Sequence, residues 1–209
     1  MKDMAQKEIE DIVPLQQEGT KKDIEHIVTT QDINDARKLF DIARNRLVDI
    51  NHWDQLCGQP SATFRLTDQE GNEINRTAEK GDYLKIDLPA PGSAEGKGYD
   101  WVYIEAIEEI SDPDGIKESI AIRVRPTSHP KEKGENIAHF FKEESTSSFV
   151  VKRQATEVKA AVYGRNEVPN TSTSNVIDKV RNAVVAITAI LGFSNVQWKS
   201  LVKGLLSTK

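Results

Sequence analysis

DWVYIEAIEEISDPDGIKESIAIRVRP, residues 100–126, decides the fold. Within it Val102 and Ile104 alternate with Trp101, Tyr103 and Glu105, the two-residue period of a strand with one apolar face. Asp112-Pro113-Asp114-Gly115 supplies a turn, because proline presets its own φ and aspartate bonds nearby backbone. Beyond the turn Ile120, Ile122 and Val124 interleave with Ala121, Arg123 and Arg125. The stretch reads as an antiparallel hairpin, apolar on one side and polar on the other.

The same period continues on both flanks. Phe64 and Leu66 alternate with Arg65 and Thr67, residues 68–72 read as a turn, and residues 73–77 as the returning strand. Leu84, Ile86 and Leu88 alternate with Tyr83, Lys85 and Asp87, and residues 149–152 and 158–163 read as a last hairpin. Six to seven strands with hairpin-sized links exclude a parallel βαβ sheet and its nucleotide crevice.

Helical periods occupy the ends. Ile33, Ala36, Phe40, Ala43, Leu47 and Ile50 recur every three or four residues over 31–51, with Thr30 as N-cap. Residues 3–13 and 21–28 read as short helices on Ile9, Ile12, Val13 and on Ile24, Ile27, Val28, parted by Pro14 and Gly19. The connection 126–147 holds a short helix over 136–144. Near the C-terminus Val176, Val180, Ala183, Val184, Ile187, Ile190 and Leu191 mark a helix that is apolar nearly all round, ended by Gly192. Ser194 then caps a second helix with Val196, Trp198, Leu201, Val202, Leu205 and Leu206. The expected fold class is therefore α+β: an antiparallel β-sheet or small open barrel flanked by an N-terminal helix and a C-terminal helical hairpin. The expected organisation is a helical segment 1–60, a β domain 61–168 and a helical hairpin 169–209 packed on it as one unit.

The 28 basic and 33 acidic residues leave a net charge of −5, which argues against a nucleic-acid partner. The lone Cys57 cannot form an internal disulfide. The first ten residues lack the apolar run of a signal peptide. The apolar stretch 183–193 is shorter than the roughly 20 residues an integral membrane segment needs, so the expected location is cytoplasmic.

No catalytic residue, metal or cofactor is expected. His52, Trp53, Asp54 and Cys57 lie together, but catalytic Cys–His pairs usually meet only in the fold, so the cluster reads as a helix terminus. The histidines are scattered and no second cysteine joins them. Lys97 is followed by Gly98 and a strand, not by the Ser or Thr and helix of a phosphate loop. The candidate binding residues are Tyr99, Trp101, Tyr103, Phe140, Phe141, Arg165 and Asn166. Aromatics on an outward strand face favour interfaces and ligand stacking, whereas helices laid over that face would make them core; alternation alone does not choose. Phe140 and Phe141 either close over a cavity or dock on the sheet. Arg165 and Asn166, at a strand end, either bind a ligand or build a turn.

The leading functional expectation is a non-enzymatic protein-interaction or assembly module, self-associating or bound to a protein partner through Val184, Ile187, Ile190, Leu191 and Trp198. The alternative is a small hydrophobic-ligand binding protein or enzyme. A sheet wrapped around a long C-terminal helix resembles the helix-grip arrangement of the START/polyketide-cyclase-like superfamily, which implies an apolar cavity between sheet and helix. The chain departs from that arrangement in opening with helices where the superfamily opens with a strand. A third reading is peripheral membrane binding, since Lys179, Arg181, Lys199 and Lys203 flank apolar residues.

Overall fold

The structure, a computed structural model, describes residues 9–58, 61–88, 96–112, 114–132, 137–170 and 192–208. Its strands are β1 (Thr20–Thr29), β2 (Thr63–Thr67), β3 (Tyr83–Asp87), β4 (Asp100–Ser111), β5 (Lys117–Pro126), β6 (Thr146–Gln154) and β7 (Glu157–Glu167). Helices α1 (Ile33–Val48) and α2 (Trp53–Cys57) link β1 to β2. A further helix, α3, covers residues 192–205. The seven described strands form one antiparallel sheet in the order β1-β7-β6-β5-β4-β3-β2. The expected α+β class with an antiparallel sheet and flanking helices is the class observed.

The hairpin at 100–126 is the middle of this sheet. Ser111 faces Glu118 and Ile107 faces Ile122, with Gly115 at φ 62° in the turn. The register slips between Ile104 and Ala106, a bulge that reverses the alternation, so Ile107 joins the apolar face while Ala106 and Ile110 go to the other. One face of the sheet, here the helical face, carries Phe64, Leu84, Ile104, Ile122, Phe149 and Val162. It packs against Leu39, Phe40 and Leu47 of α1 and Leu201, Val202 and Leu205 of α3. Burial of these side chains contributes roughly 1.5–3 kcal/mol each before the entropy of ordering them is subtracted. The outer face is crossed by a 3₁₀ turn, Ile9–Ile12, whose isoleucines pack on Ala121 and Val150.

Polar contacts fasten the helices. Asp32 caps α1 by accepting from the Asp35 N–H at 2.9 Å. The expected cap, Thr30, instead donates to the carbonyls of Asp32 and Thr156. Arg46, in the last turn of α1, donates to the Gly204 and Leu205 carbonyls at 3.0 and 3.2 Å, satisfying groups that the end of α3 leaves free. Trp53 is fully buried, with ring centroids 5.5 Å from Phe64 and 4.7 Å from Phe149, and its indole N–H donates to the Arg46 carbonyl.

Several elements differ from the sequence expectation. Residues 21–28 form β1 rather than a helix, paired with β7 from Thr20↔Glu167 to Thr29↔Glu157. The spacing of Ile24, Ile27 and Val28 imitates a helix because the face of β1 that turns inward also carries Lys22 and His26, while Ile27 points outward and is 43% exposed. With β1 in place, a strand precedes α1. Residues 73–77 contribute a single bridge, Thr67↔Glu73; β3 takes the place beside β2, since Leu84 and Ile86 supply two inward apolar residues where 73–77 has only Ile74. Residues 137–144 are not helical. Their carbonyls at Ile137, His139 and Phe140 accept from Asn170, while the Phe141 and Lys142 N–H groups, which a helix would direct to residues 137 and 138, donate to His139 Nδ1 and the Val168 carbonyl. Gly192 and Ser194 both lie inside α3, so neither ends nor caps a helix at that point. The rest of the expected first C-terminal helix, with Val184, Ile187, Ile190 and Leu191, lies outside the described residues.

Candidate functional site

The helical face does not close completely. A cavity of about 60 Å³ remains between the sheet, α2, α3 and the segment 139–141. Its wall is mostly apolar: Phe64, Leu84, Val102, Val124 and Phe149 from the sheet, Phe140 and Phe141 from the long connection, Phe193 and Trp198 from α3. Trp198 lies 5.9 Å from Phe64 and 5.2 Å from Phe149, ring centre to ring centre. Set in this wall are His139, Ser147, Glu167, Ser194 and Gln197.

Two of these polar groups are ionisable and buried. Glu167 is only 4% exposed, and burial pushes its carboxyl above the usual range despite the pull of Lys22. Lys22 Nζ stands 3.6 Å from Glu167 Oε1 and donates to Ser194 Oγ at 2.7 Å. The Thr20 hydroxyl donates to Glu167 Oε2 at 3.2 Å. Burial lowers the Lys22 ammonium, and Glu167 partly offsets it. Gly164 makes room for the pair, since a β-carbon there would run into the Glu167 carboxylate. His139 accepts the Phe141 backbone N–H on Nδ1 at 2.9 Å, and burial holds its pKa down to about 3. It is therefore a neutral imidazole with its proton on Nε2 at any ordinary pH.

The cysteine is held as a thiol. Gln197 bridges the Ala62 N–H and Cys57 Sγ, and burial pushes the thiol up to about 12. Among the described residues no group of three or more His, Cys, Asp or Glu is placed to hold a metal. No described helix is long and apolar enough to cross a membrane.

The residues singled out from sequence fall into three places. Phe140 and Phe141 line the cavity. Tyr99, Trp101 and Tyr103 lie away from it. Trp101 is 2% exposed beneath the His129 ring, 4.7 Å away, with its indole N–H on the Gly96 carbonyl. Lys85 Nζ sits 4.7 Å over the Tyr99 ring. Tyr103 packs on Tyr83 at 5.2 Å beside an open groove of about 860 Å³ that also meets Arg125 and Lys142. Arg165 pairs with Asp23 at 2.6 Å and donates to the Lys22 carbonyl, tying β7 to β1. Asn166, at φ 54°, accepts the Gln17 N–H at 2.7 Å and donates its own N–H to Gln16. Lys22 and His139 are not among the candidates read from sequence; Glu167 closes the polar strand end 164–167, of which Arg165 and Asn166 are the named candidates. The signal for Glu167 was an acid closing an apolar strand two residues before Pro169; for Lys22 there was none while β1 read as a helix.

No family model and no curated protein matches the chain. Solved structures similar to it include a STAR-related lipid transfer protein from Xanthomonas axonopodis, 14% identical over 88% of this chain and 85% of that one, with a TM-score of 0.45. Norcoclaurine synthase from Thalictrum flavum is 14% identical over 97% and 99% of the two chains, TM-score 0.36. Major latex-like protein 151 from Panax ginseng is 12% identical over 83% and 96%, TM-score 0.33. Likeness at this level speaks to fold alone. The expectation of a protein-interaction or assembly module is corrected by the helix itself: Leu201, Val202, Leu205 and Leu206 are buried on the chain's own sheet and helices, and Trp198 packs, partly buried, on its own Phe64 and Phe149.

Proposed function

We propose that the chain binds a small apolar ligand between the helical face of its sheet and α3. The observation that carries this reading is the composition of the cavity wall. Aromatic and aliphatic side chains surround two buried ionisable groups, Glu167 and His139, that packing alone does not require. Burying such groups costs several kcal/mol in the absence of partners, and a mostly apolar pocket with a few polar groups is the usual form of a small-molecule site. Ligand pockets typically hold about 300–1,000 Å³, so the present 60 Å³ corresponds to a closed state. Phe140 and Phe141 belong to an irregular segment anchored at Asn170, and their displacement is the simplest way to enlarge the space.

Titration with the uncharged dye N-phenyl-1-naphthylamine tests this, because Trp53 and Trp198 line the cavity and report by energy transfer. The expected outcome is saturable one-to-one binding that is lost in Val124→Trp, whose indole fills the space. Absence of saturable binding to the folded, unsubstituted chain would end the reading.

A further inference from the structure

From the geometry of Lys22 and Glu167 we infer that this pair is the polar anchor of the cavity and selects apolar ligands that end in an uncharged hydroxyl group. The inference rests on the cavity reading above and deepens it. Glu167 lines the cavity, and an ionised carboxylate offers about four acceptor positions. Among the described residues the Thr20 hydroxyl takes one, and Lys22 Nζ, 3.6 Å from Oε1, takes at most a second. The carboxylate thus keeps acceptor capacity. Lys22 stands behind the wall, donating to the cavity-lining Ser194 Oγ and supplying the counter-charge to Glu167.

Charge decides which head group fits. Lys22 and Glu167 balance one another, with side chains 10% and 4% exposed, so little water screens a third charge. A ligand carboxylate would set a second anion against Glu167, and a ligand ammonium a second cation against Lys22. A hydroxyl donates to Glu167 without changing the sum. Gly164 preserves the arrangement, because any side chain there would displace the carboxylate. His139, neutral and on the same wall, adds no charge to this balance.

The test is competition against the bound naphthylamine dye by 1-octanol, octanoate and octylamine at neutral pH. Octanol is expected to compete about tenfold more tightly than either charged analogue, the effect of one pKa unit of like-charge repulsion. Glu167→Gln, which leaves Lys22 as the only charge, should move the preference to octanoate; Lys22→Met should move it to octylamine. A purely structural pair would weaken all three ligands together. Equal competition by the three in the unsubstituted chain overturns the anchor while the cavity stands. Failure of the dye itself to bind overturns both. If a variant fails to fold, the ratios in the unsubstituted chain still decide.

Discussion

The arginine sites of the sheet and the lysine beside the cavity use charge in opposite ways. On the outer face Glu105 lies between two guanidinium groups, bonded to Arg123 Nε at 2.7 Å and to Arg125. Arg123 also holds the Ile12 carbonyl, which fastens the 3₁₀ turn over that face. At the end of the helical face remote from Glu167, Arg153, fully buried, bonds Glu118 at 2.6 Å and the carbonyls of Gly115, Ile116 and Ala155. These guanidinium forks are filled by fixed partners. At the cavity the pair is Lys22 with Glu167, longer and built on a flexible ammonium, with Glu167 in the cavity wall. A saturated ion pair is a fastening; on the proposed reading, a pair with acceptor capacity left is a receptor.

The comparison breaks most visibly at Arg153. Arg153→Met should cost about 3–5 kcal/mol in urea unfolding, since it strands Glu118 and three carbonyls together. A loss under about 1 kcal/mol would remove the claim of the guanidinium sites to be fastenings. The looser inner pair should behave differently: Lys22→Met and Glu167→Gln singly cost about 1–2 kcal/mol, and the double variant recovers most of it. A strictly additive double variant would show that the two side chains do not act together.

The last effect concerns pH. His139 titrates at about 3 in the fold against 6.5 ordinarily, so the unfolded chain takes up a proton that the folded chain refuses. Stability should fall as pH drops from about 6.5 toward 3, by at most about 1.4 kcal/mol per pH unit from this group. Urea midpoints at pH 7 and 5, compared with His139→Phe, isolate it; equal slopes in the two proteins would place the imidazole in water.

How far the sequence could be read follows the same division. The β4–β5 hairpin was legible because both faces obey their period and Asp112 to Gly115 marks the turn. Strand β1 was not, because Lys22 sits where an apolar residue would have completed the alternation. The residue that hid the strand is the one that balances Glu167. Phe140 and Phe141 could be named as cavity candidates from their place in a long connection, but their irregular backbone follows from Asn170, thirty residues away in sequence. Glu167 needed the bend at Asn166 and the bare Cα of Gly164, neither of which periodicity conveys.

The pairing of β1 with β7 has a consequence for the order in which the molecule is made. Strands β2 to β7 follow one another as neighbours, but Thr20 meets Glu167 across 147 residues. Closing so long a loop is entropically late, and topologies of this kind fold slowly. Lys22 arrives with β1 and Glu167 with β7, so the anchor comes into being only when the two distant ends of the sheet join. A ligand held there would be recognised by the finished chain and by no earlier intermediate, and its affinity would draw the last step of folding forward.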